Sequence, residues 1–172
     1  CRLIGGYVRD RGFNIQILDC EALNLTPEAI VAKVKTAAPR LVGMIVFGHQ
    51  PSASTQQMTS AGLTSTLIKE QINDLPIIMI GGHVSALPER TLREEDVDYV
   101  CKGEGPVTVV QLLDALKDGV VEHPEDIEGL VWMNNDEPVV NPAAALITDM
   151  DQDLNGNVWD LLPMDQYRAH NW

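Results

Sequence analysis

The hydrophobic positions at the start of the chain recur with a helical period. Gly12 follows this segment, at the place where a glycine commonly ends a helix. The apolar residues that share one face of the predicted helix are Leu3, Ile4, Tyr7 and Val8. Over residues 13–18, apolar and polar residues then alternate, which predicts a half-exposed strand at the edge of a sheet.

Three short apolar segments are typical of strands that are buried on both faces. Residues 41–47 form the longest segment, which we expect at the centre of the sheet, and residues 77–80 and 99–100 form the others. Helical periodicity separates the strands, and one helix is predicted to start at Thr26 and Pro27, a capping residue followed by a first-turn proline. The alternation predicts parallel βαβ units, and therefore an α/β fold with a doubly wound parallel sheet.

The pattern changes near residue 120. Apolar residues at 127–133 and 138–140 flank the turn-forming sequence Asn134-Asn135-Asp136, so we predict a small β-hairpin. Residues 143–172 are rich in Gly, Asn, Asp and Pro, and they predict an extended arm that packs on another surface or leads to another domain. We therefore divide the chain into an α/β domain, residues 1–120, and a hairpin with its arm, residues 121–172.

The order of the predicted elements leaves one position in the sheet unfilled. A doubly wound sheet normally starts on a strand, whereas this chain starts on a helix. If residues 13–18 lie at the edge and residues 41–47 at the centre, a further strand should lie between them. We expect that strand to precede residue 1, or another segment or chain to fill its position, as in a homodimer that completes the sheet.

Composition excludes several classes of partner and cofactor. The net charge of −13 repels nucleic acid and anionic lipid, and no apolar run approaches the ~20 residues that a membrane span needs. The three cysteines are far apart in the sequence, which argues against a disulfide framework and excludes a local zinc or iron–sulfur motif. The predicted compartment is the cytoplasm.

Candidate chemistry lies in the loops that follow the three buried strands. These loops are residues 48–54, 81–85 and 103–106, and in an open α/β sheet they meet at the ligand-binding edge. Each has a structural alternative: Gly81 and Gly82 can form a tight turn, His83 can be a hydrogen-bonded loop residue, and the segment at 103–106 can simply start a helix. The sequence contains no phosphate-binding loop, dinucleotide fingerprint, nucleophile elbow or zinc-protease motif. Glu104 at a helix start would repel a phosphate, so these loops favour a bulky, largely uncharged ligand.

Several stretches together resemble one family. They are LVGMIV at 41–46, IGGHVSALPE at 80–89, VDYVCKGEG at 97–105 and WDLLPMDQYR at 159–168. The chain resembles the N-terminal cobalamin (B12)-binding domain of cobalamin-dependent radical SAM enzymes, a group that includes the anaerobic magnesium-protoporphyrin IX monomethyl ester oxidative cyclase and many methyltransferases. The resemblance covers nearly the whole chain.

The resemblance implies a flavodoxin-like sheet that holds the corrin of cobalamin against the carboxyl ends of its strands. The residues implied to bind the cofactor are Phe47, Gly48, His49, Gly81, Gly82, His83, Ser85, Gly103, Glu104 and Gly105. The family reaction also uses S-adenosylmethionine and a [4Fe–4S] cluster. This sequence has no C-x-x-x-C-x-x-C motif for that cluster, so the reaction needs a separate radical SAM catalytic domain as partner, and no residue here is predicted to be catalytic or to bind a metal.

The sequence departs from the family at two points. Pro106 stands where many members carry a second glutamate, and the region that holds the axial histidine of better-known cobalamin proteins would precede residue 1. Two alternatives to a cofactor-binding domain therefore stay open. One is an interaction or regulatory domain of the same fold without cofactor, and the other is a receiver-like domain, which lacks its phosphoacceptor aspartate here.

Overall fold

A computed structural model describes residues 1–47 and 51–168, with the backbone alone for 51 and 52. Its five strands form one sheet in chain order: β1 (Val42–Val46), β2 (Ile77–Gly81), β3 (Tyr99–Cys101), β4 (Leu130–Asn134) and β5 (Glu137–Val140). The first three strands are parallel, and β4 and β5 continue the sheet in antiparallel orientation.

Helices connect the parallel strands as the sequence predicts. The connecting helices are α3 (Pro51–Gln71), α4 (Gly82–Ala86) and α5 (Pro88–Glu94). The other described helices lie before β1, after β3 or after β5: α1 (Arg2–Asp10), α2 (Pro27–Ala37), α6 (Pro106–Ala115) and α7 (Met150–Asp153). Short 3-10 helices cover Leu116–Asp118, Pro124–Asp126 and Trp159–Leu161. The predicted cap of α2 is present, because the Thr26 hydroxyl accepts a hydrogen bond from Ala29 N at 3.3 Å. Within the described part of the chain, no helix combines the length and apolar character that crossing a bilayer requires.

The core lies on both sides of β2, all of whose residues are buried. On one face, Ile78 and Ile80 pack with Val8 of α1 and Leu112 of α6. On the other face, the buried cluster combines strand and helix side chains: Val46, Met58, Met79, Val84, Leu92, Val100 and Val131. The predicted α/β sheet with helices on both faces is therefore confirmed.

The central position predicted for residues 41–47 is wrong. β1 is the edge strand of the sheet, and among the described residues no strand pairs with its outer side. Gly43 is consequently exposed, and Met44 and Ile45 are only half-buried, in contrast to every residue of β2. The apolar residues of β1 indicate that both faces of the strand pack against other elements. They do not indicate how many neighbouring strands pair with it.

Residues 13–18 form no strand, which corrects a second prediction. The alternation does place Phe13 and Ile15 against the core cluster that contains Val8. A strand also requires a backbone ladder with a neighbour, however, and within the described ranges none pairs with this segment.

The predicted hairpin is confirmed. Asn134 pairs with Glu137, and the two residues between them, Asn135 and Asp136, both have positive φ, at 48° and 68°. This geometry is the two-residue turn that matches the twist of antiparallel strands. Because β4 also pairs with β3, the hairpin extends the main sheet.

The C-terminal arm packs on α1. Val158 and Leu154 are buried, with 0% and 8% of their surface exposed. Gly6 of α1 lies so close to Gly156 that a Cβ at position 6 would stand 2.8 Å from Gly156 Cα. The two glycines therefore allow the backbone of the arm to rest directly on the helix.

Candidate functional site

The carboxyl ends of the three parallel strands meet at one edge of the sheet. β1 and β2 end side by side at Val46 and Gly81, and β3 pairs in parallel with β2. Phe47 follows β1 and exposes 69% of its surface, while Gly48 and His49 lie outside the described residues. The loops that follow β2 and β3 leave the same edge, which brings the predicted glycine segments together as expected for this class of fold.

The two glycines after β2 differ in environment. Gly81 is buried, and a Cβ there would overlap the carbonyl oxygen of Val46. Its role is therefore to let β1 and β2 approach. Gly82 is exposed, and a Cβ there would come within 3.3 Å of the Ser54 hydroxyl oxygen, a tighter contact than usual, so this glycine lets α3 approach the edge.

His83 is held by hydroxyl groups of α3. Its backbone N–H donates to the Ser54 hydroxyl at 2.9 Å, and its ring nitrogen Nδ1 shares a hydrogen bond with the Thr55 hydroxyl, also at 2.9 Å. The imidazole is half-buried, so part of it faces the edge of the sheet. His83 is therefore hydrogen-bonded through one ring nitrogen, as the structural alternative from the sequence predicts in part.

The loop after β3 is tied to the loop after β2. Gly103 N donates to the Ser85 hydroxyl at 3.0 Å, and Gly103 has a φ of 127°, with no atom near the position of a Cβ. Glu104 beside it is exposed. Gly105 is buried with a φ of 96°, and Ile4 and Ile80 pack against it, so this glycine serves the packing of α6.

The edge offers little for charge-driven chemistry. Lys102 and Glu104 are exposed neighbours of opposite charge, and no group of three metal-ligating residues occurs in the described ranges. The thiol of Cys101 lies beneath the loop, fully buried, and this burial raises its pKa, which makes it a poor nucleophile. The arrangement is suited to packing a large ligand against glycine backbone and the exposed side chains of Phe47 and Leu87.

Two residues of the site were not identified from the sequence. They are Ser54 and Thr55, whose hydroxyl groups hold His83. Residues 51–54 were predicted as loop, but they form the first turn of α3, which starts at Pro51. Proline at a first helical position was the signal available for this helix start. Thr55 and His83 are 28 residues apart in the sequence, and a local sequence pattern does not predict a contact between residues so far apart.

The fold and this edge define the class: an α/β domain with glycine segments at the carboxyl ends of its parallel strands. The chain belongs to the B12 binding domain family, whose model matches residues 1–113. The family resemblance stated from the sequence is confirmed.

Two curated relatives cover nearly all of this chain. An uncharacterised methyltransferase of Pyrococcus horikoshii is 32% identical over 157 residues, which are 91% of this chain and 32% of that protein. The anaerobic magnesium-protoporphyrin IX monomethyl ester cyclase of Synechocystis is 26% identical over 166 residues, 95% of this chain and 31% of that protein. The chain therefore spans about a third of the length of these relatives.

Solved structures share the fold. The radical S-adenosylmethionine methyltransferase TsrM of Kitasatospora setae superposes with a TM-score of 0.70 at 21% identity, over 84% of this chain and 27% of that chain. The cobalamin-dependent S-adenosylmethionine radical enzyme OxsB, with aqua-cobalamin bound, gives a TM-score of 0.73 at 18% identity, over 88% of this chain and 20% of that chain. Both are radical SAM proteins much longer than this chain.

Proposed function

We propose that this chain binds cobalamin at the carboxyl edge of its sheet and presents the corrin to a separate radical SAM catalytic domain. The observation that carries the proposal is the convergence of the glycine loops after β2 and β3 on the end of β1, in a member of the B12 binding domain family. The cofactor would supply a cobalt centre, and the domain would supply binding and orientation.

The described residues at this edge fit such a ligand. Gly103 leaves open space above its backbone, where a bulky group can approach closely, and Gly82 is exposed at the same edge. Phe47 offers an exposed aromatic face, and Ser85 fixes the loop that carries Gly103. His83 offers a ring nitrogen, and Glu104 is exposed in the loop after β3. Gly81 and Gly105 support the site by permitting close packing beneath it, and Gly48 and His49 complete the set proposed from the sequence.

The partner domain would hold S-adenosylmethionine and a [4Fe–4S] cluster. TsrM, which shares the fold, has been solved with both cobalamin and a [4Fe–4S] cluster bound. The present chain has only three cysteines, far apart in sequence, so we assign the cluster to the partner. In this arrangement the whole protein would be a cobalamin-dependent cyclase or methyltransferase.

Binding can be tested directly with hydroxocobalamin. The 172-residue chain is mixed with the corrin and desalted, and we expect the visible corrin spectrum to remain with the protein in a ratio of about one to one. Gly82→Leu places a bulky side chain at the exposed edge and is expected to abolish retention. Gly43→Leu is the control, because Gly43 is also exposed and lies at the other end of β1. Loss of all corrin from the unaltered chain would contradict the proposal.

A second candidate is an interaction domain without cofactor. The unpaired outer side of β1 favours it, because a second copy of the chain could pair there and complete a larger sheet. Light scattering decides the point: a dimer that retains no corrin supports this candidate, and a monomer that retains corrin rules it out.

A further inference from the structure

The Thr55 hydroxyl and the Nδ1 atom of His83 lie 2.9 Å apart, although 28 residues separate them in sequence. Thr55 belongs to α3, and His83 lies in the first turn of α4. The neighbouring residue Ser54 is 2% exposed and accepts the backbone N–H of His83. Backbone and ring of His83 are thus both attached to one turn of α3.

This attachment occupies one of the two ring nitrogens of His83. The Thr55 hydroxyl can donate to Nδ1 or accept from it, so this hydrogen bond orients the ring in either tautomer. Nδ1 is engaged by Thr55, and within the described ranges Nε2 has no hydrogen-bond partner. Nε2 is therefore the ring atom available to a ligand at the edge of the sheet.

We propose that Thr55 is a positioning residue, which holds the His83 ring in one orientation so that Nε2 contacts the bound cobalamin. The inference rests on the proposed function for its ligand, but the attachment of His83 to Thr55 exists without ligand. A helix is a suitable support, because its backbone hydrogen bonds fix the hydroxyl more firmly than a loop would.

The first measurement uses the protein without cobalamin. Nuclear Overhauser contacts between the His83 ring protons and the protons of α3 report whether the ring keeps one orientation. We expect these contacts in the unaltered chain and their loss in Thr55→Val, which removes the hydroxyl and keeps the shape of the side chain. Thr55→Ser retains the hydroxyl and is expected to restore the contacts. Ring contacts that are the same in Thr55→Val and in the unaltered chain would overturn the positioning role.

The second measurement is cobalamin affinity. Loss of one neutral hydrogen bond that orients a ligand contact is expected to weaken binding roughly 3- to 10-fold in Thr55→Val. His83→Asn places a polar atom near the position of Nδ1 and removes Nε2, so we expect it to bind as weakly as His83→Ala.

Thr66→Val is the matched control. Thr66 lies on the same helix and its hydroxyl donates to Asp96 at 2.5 Å, away from the site. We expect this variant to keep both the His83 ring orientation and the affinity.

The possible outcomes separate the two proposals. If the unaltered chain binds no cobalamin, the proposed function fails, and the ligand contact of His83 fails with it, while the NMR measurement still decides the attachment. If the chain binds cobalamin and Thr55→Val releases the ring without any change in affinity, the contact through Nε2 is wrong and the proposed function stands.

Discussion

A side-chain carbon at position 81 would occupy the space of the Val46 carbonyl oxygen. The two residues are paired in register at the carboxyl ends of β2 and β1. Their close contact therefore lies at the edge of the sheet that carries the candidate site. The φ of Gly81 is 161°, an extended conformation that any residue can adopt. The requirement for glycine is therefore steric, and it comes from the neighbouring strand.

Gly81→Ala is expected to destabilise the fold by about 1–3 kcal/mol, the usual cost of forcing an extra carbon into a packed region. Chemical denaturation measures the free energy of unfolding. Gly43→Ala is the control within the same sheet, because a Cβ there meets no atom within 4 Å. Equal stabilities for the two variants would contradict the steric role of Gly81.

The edge position of β1 predicts a pattern of amide exchange. In a parallel ladder, alternate residues direct their N–H groups to the same neighbour. Val42 N donates towards β2, to Pro76 O at 3.0 Å, so Met44 and Val46 are expected to do the same. The amides of Gly43 and Ile45 then face the unpaired side and should exchange faster with deuterium. Uniform protection along β1 would show that its outer side is covered.

The attachment of the arm to α1 can be loosened at Arg2. Its guanidinium stacks 4.3 Å from the centre of the Trp159 ring and donates to Gly156 O at 2.8 Å. An exposed cation–π contact contributes about 0.5–1 kcal/mol, so Arg2→Ala should raise amide exchange over residues 156–162 by roughly 2- to 5-fold. Arg90→Ala, which removes only a pair with Glu94 inside α5, should leave the arm unchanged. Unchanged exchange in Arg2→Ala would mean that the packed glycines and the contacts of Arg9 with Asn157 and Asp160 hold the arm without Arg2.

Glu95 predicts a dependence of stability on pH. Its carboxylate lies against Gly62 of α3, and burial raises its pKa, with further increases from Glu94 and Asp96 and an opposing effect of His83. As the pH rises from about 4.3, the usual pKa of glutamate, towards the raised pKa, the unfolded chain loses this proton first. The contribution of Glu95 to folding therefore decreases across that window and is constant above it.

Glu95→Gln removes this titration. The variant should be more stable than the unaltered chain at neutral pH, and the difference should shrink as the pH falls through the raised pKa towards the usual glutamate pKa. Denaturation at a series of pH values measures the effect, and Glu70→Gln, an exposed position on α3, is the control. A stability difference that grows in acid would contradict the raised pKa of Glu95.

Local patterns predicted most elements of the fold. Periodicity indicated α1, the cap at Thr26 gave the start of α2, and the turn residues Asn135 and Asp136 indicated the β4–β5 hairpin. These features succeed because caps, turns and helical faces depend on residues a few positions apart. The candidate site was predicted in outline, since glycines after buried strands are visible in a sequence.

The sequence by itself determined which segments are apolar enough to be buried and where glycine permits a turn or a close approach. Only the tertiary structure decided that β1 lies at the edge, that residues 13–18 pair with no described strand, and that the arm covers α1. It also brought Thr55 to His83 and gave Gly81 a steric role against Val46. The physical reason is that burial and turn formation are local properties of the chain. Strand neighbours and side-chain partners depend on which distant elements pack together.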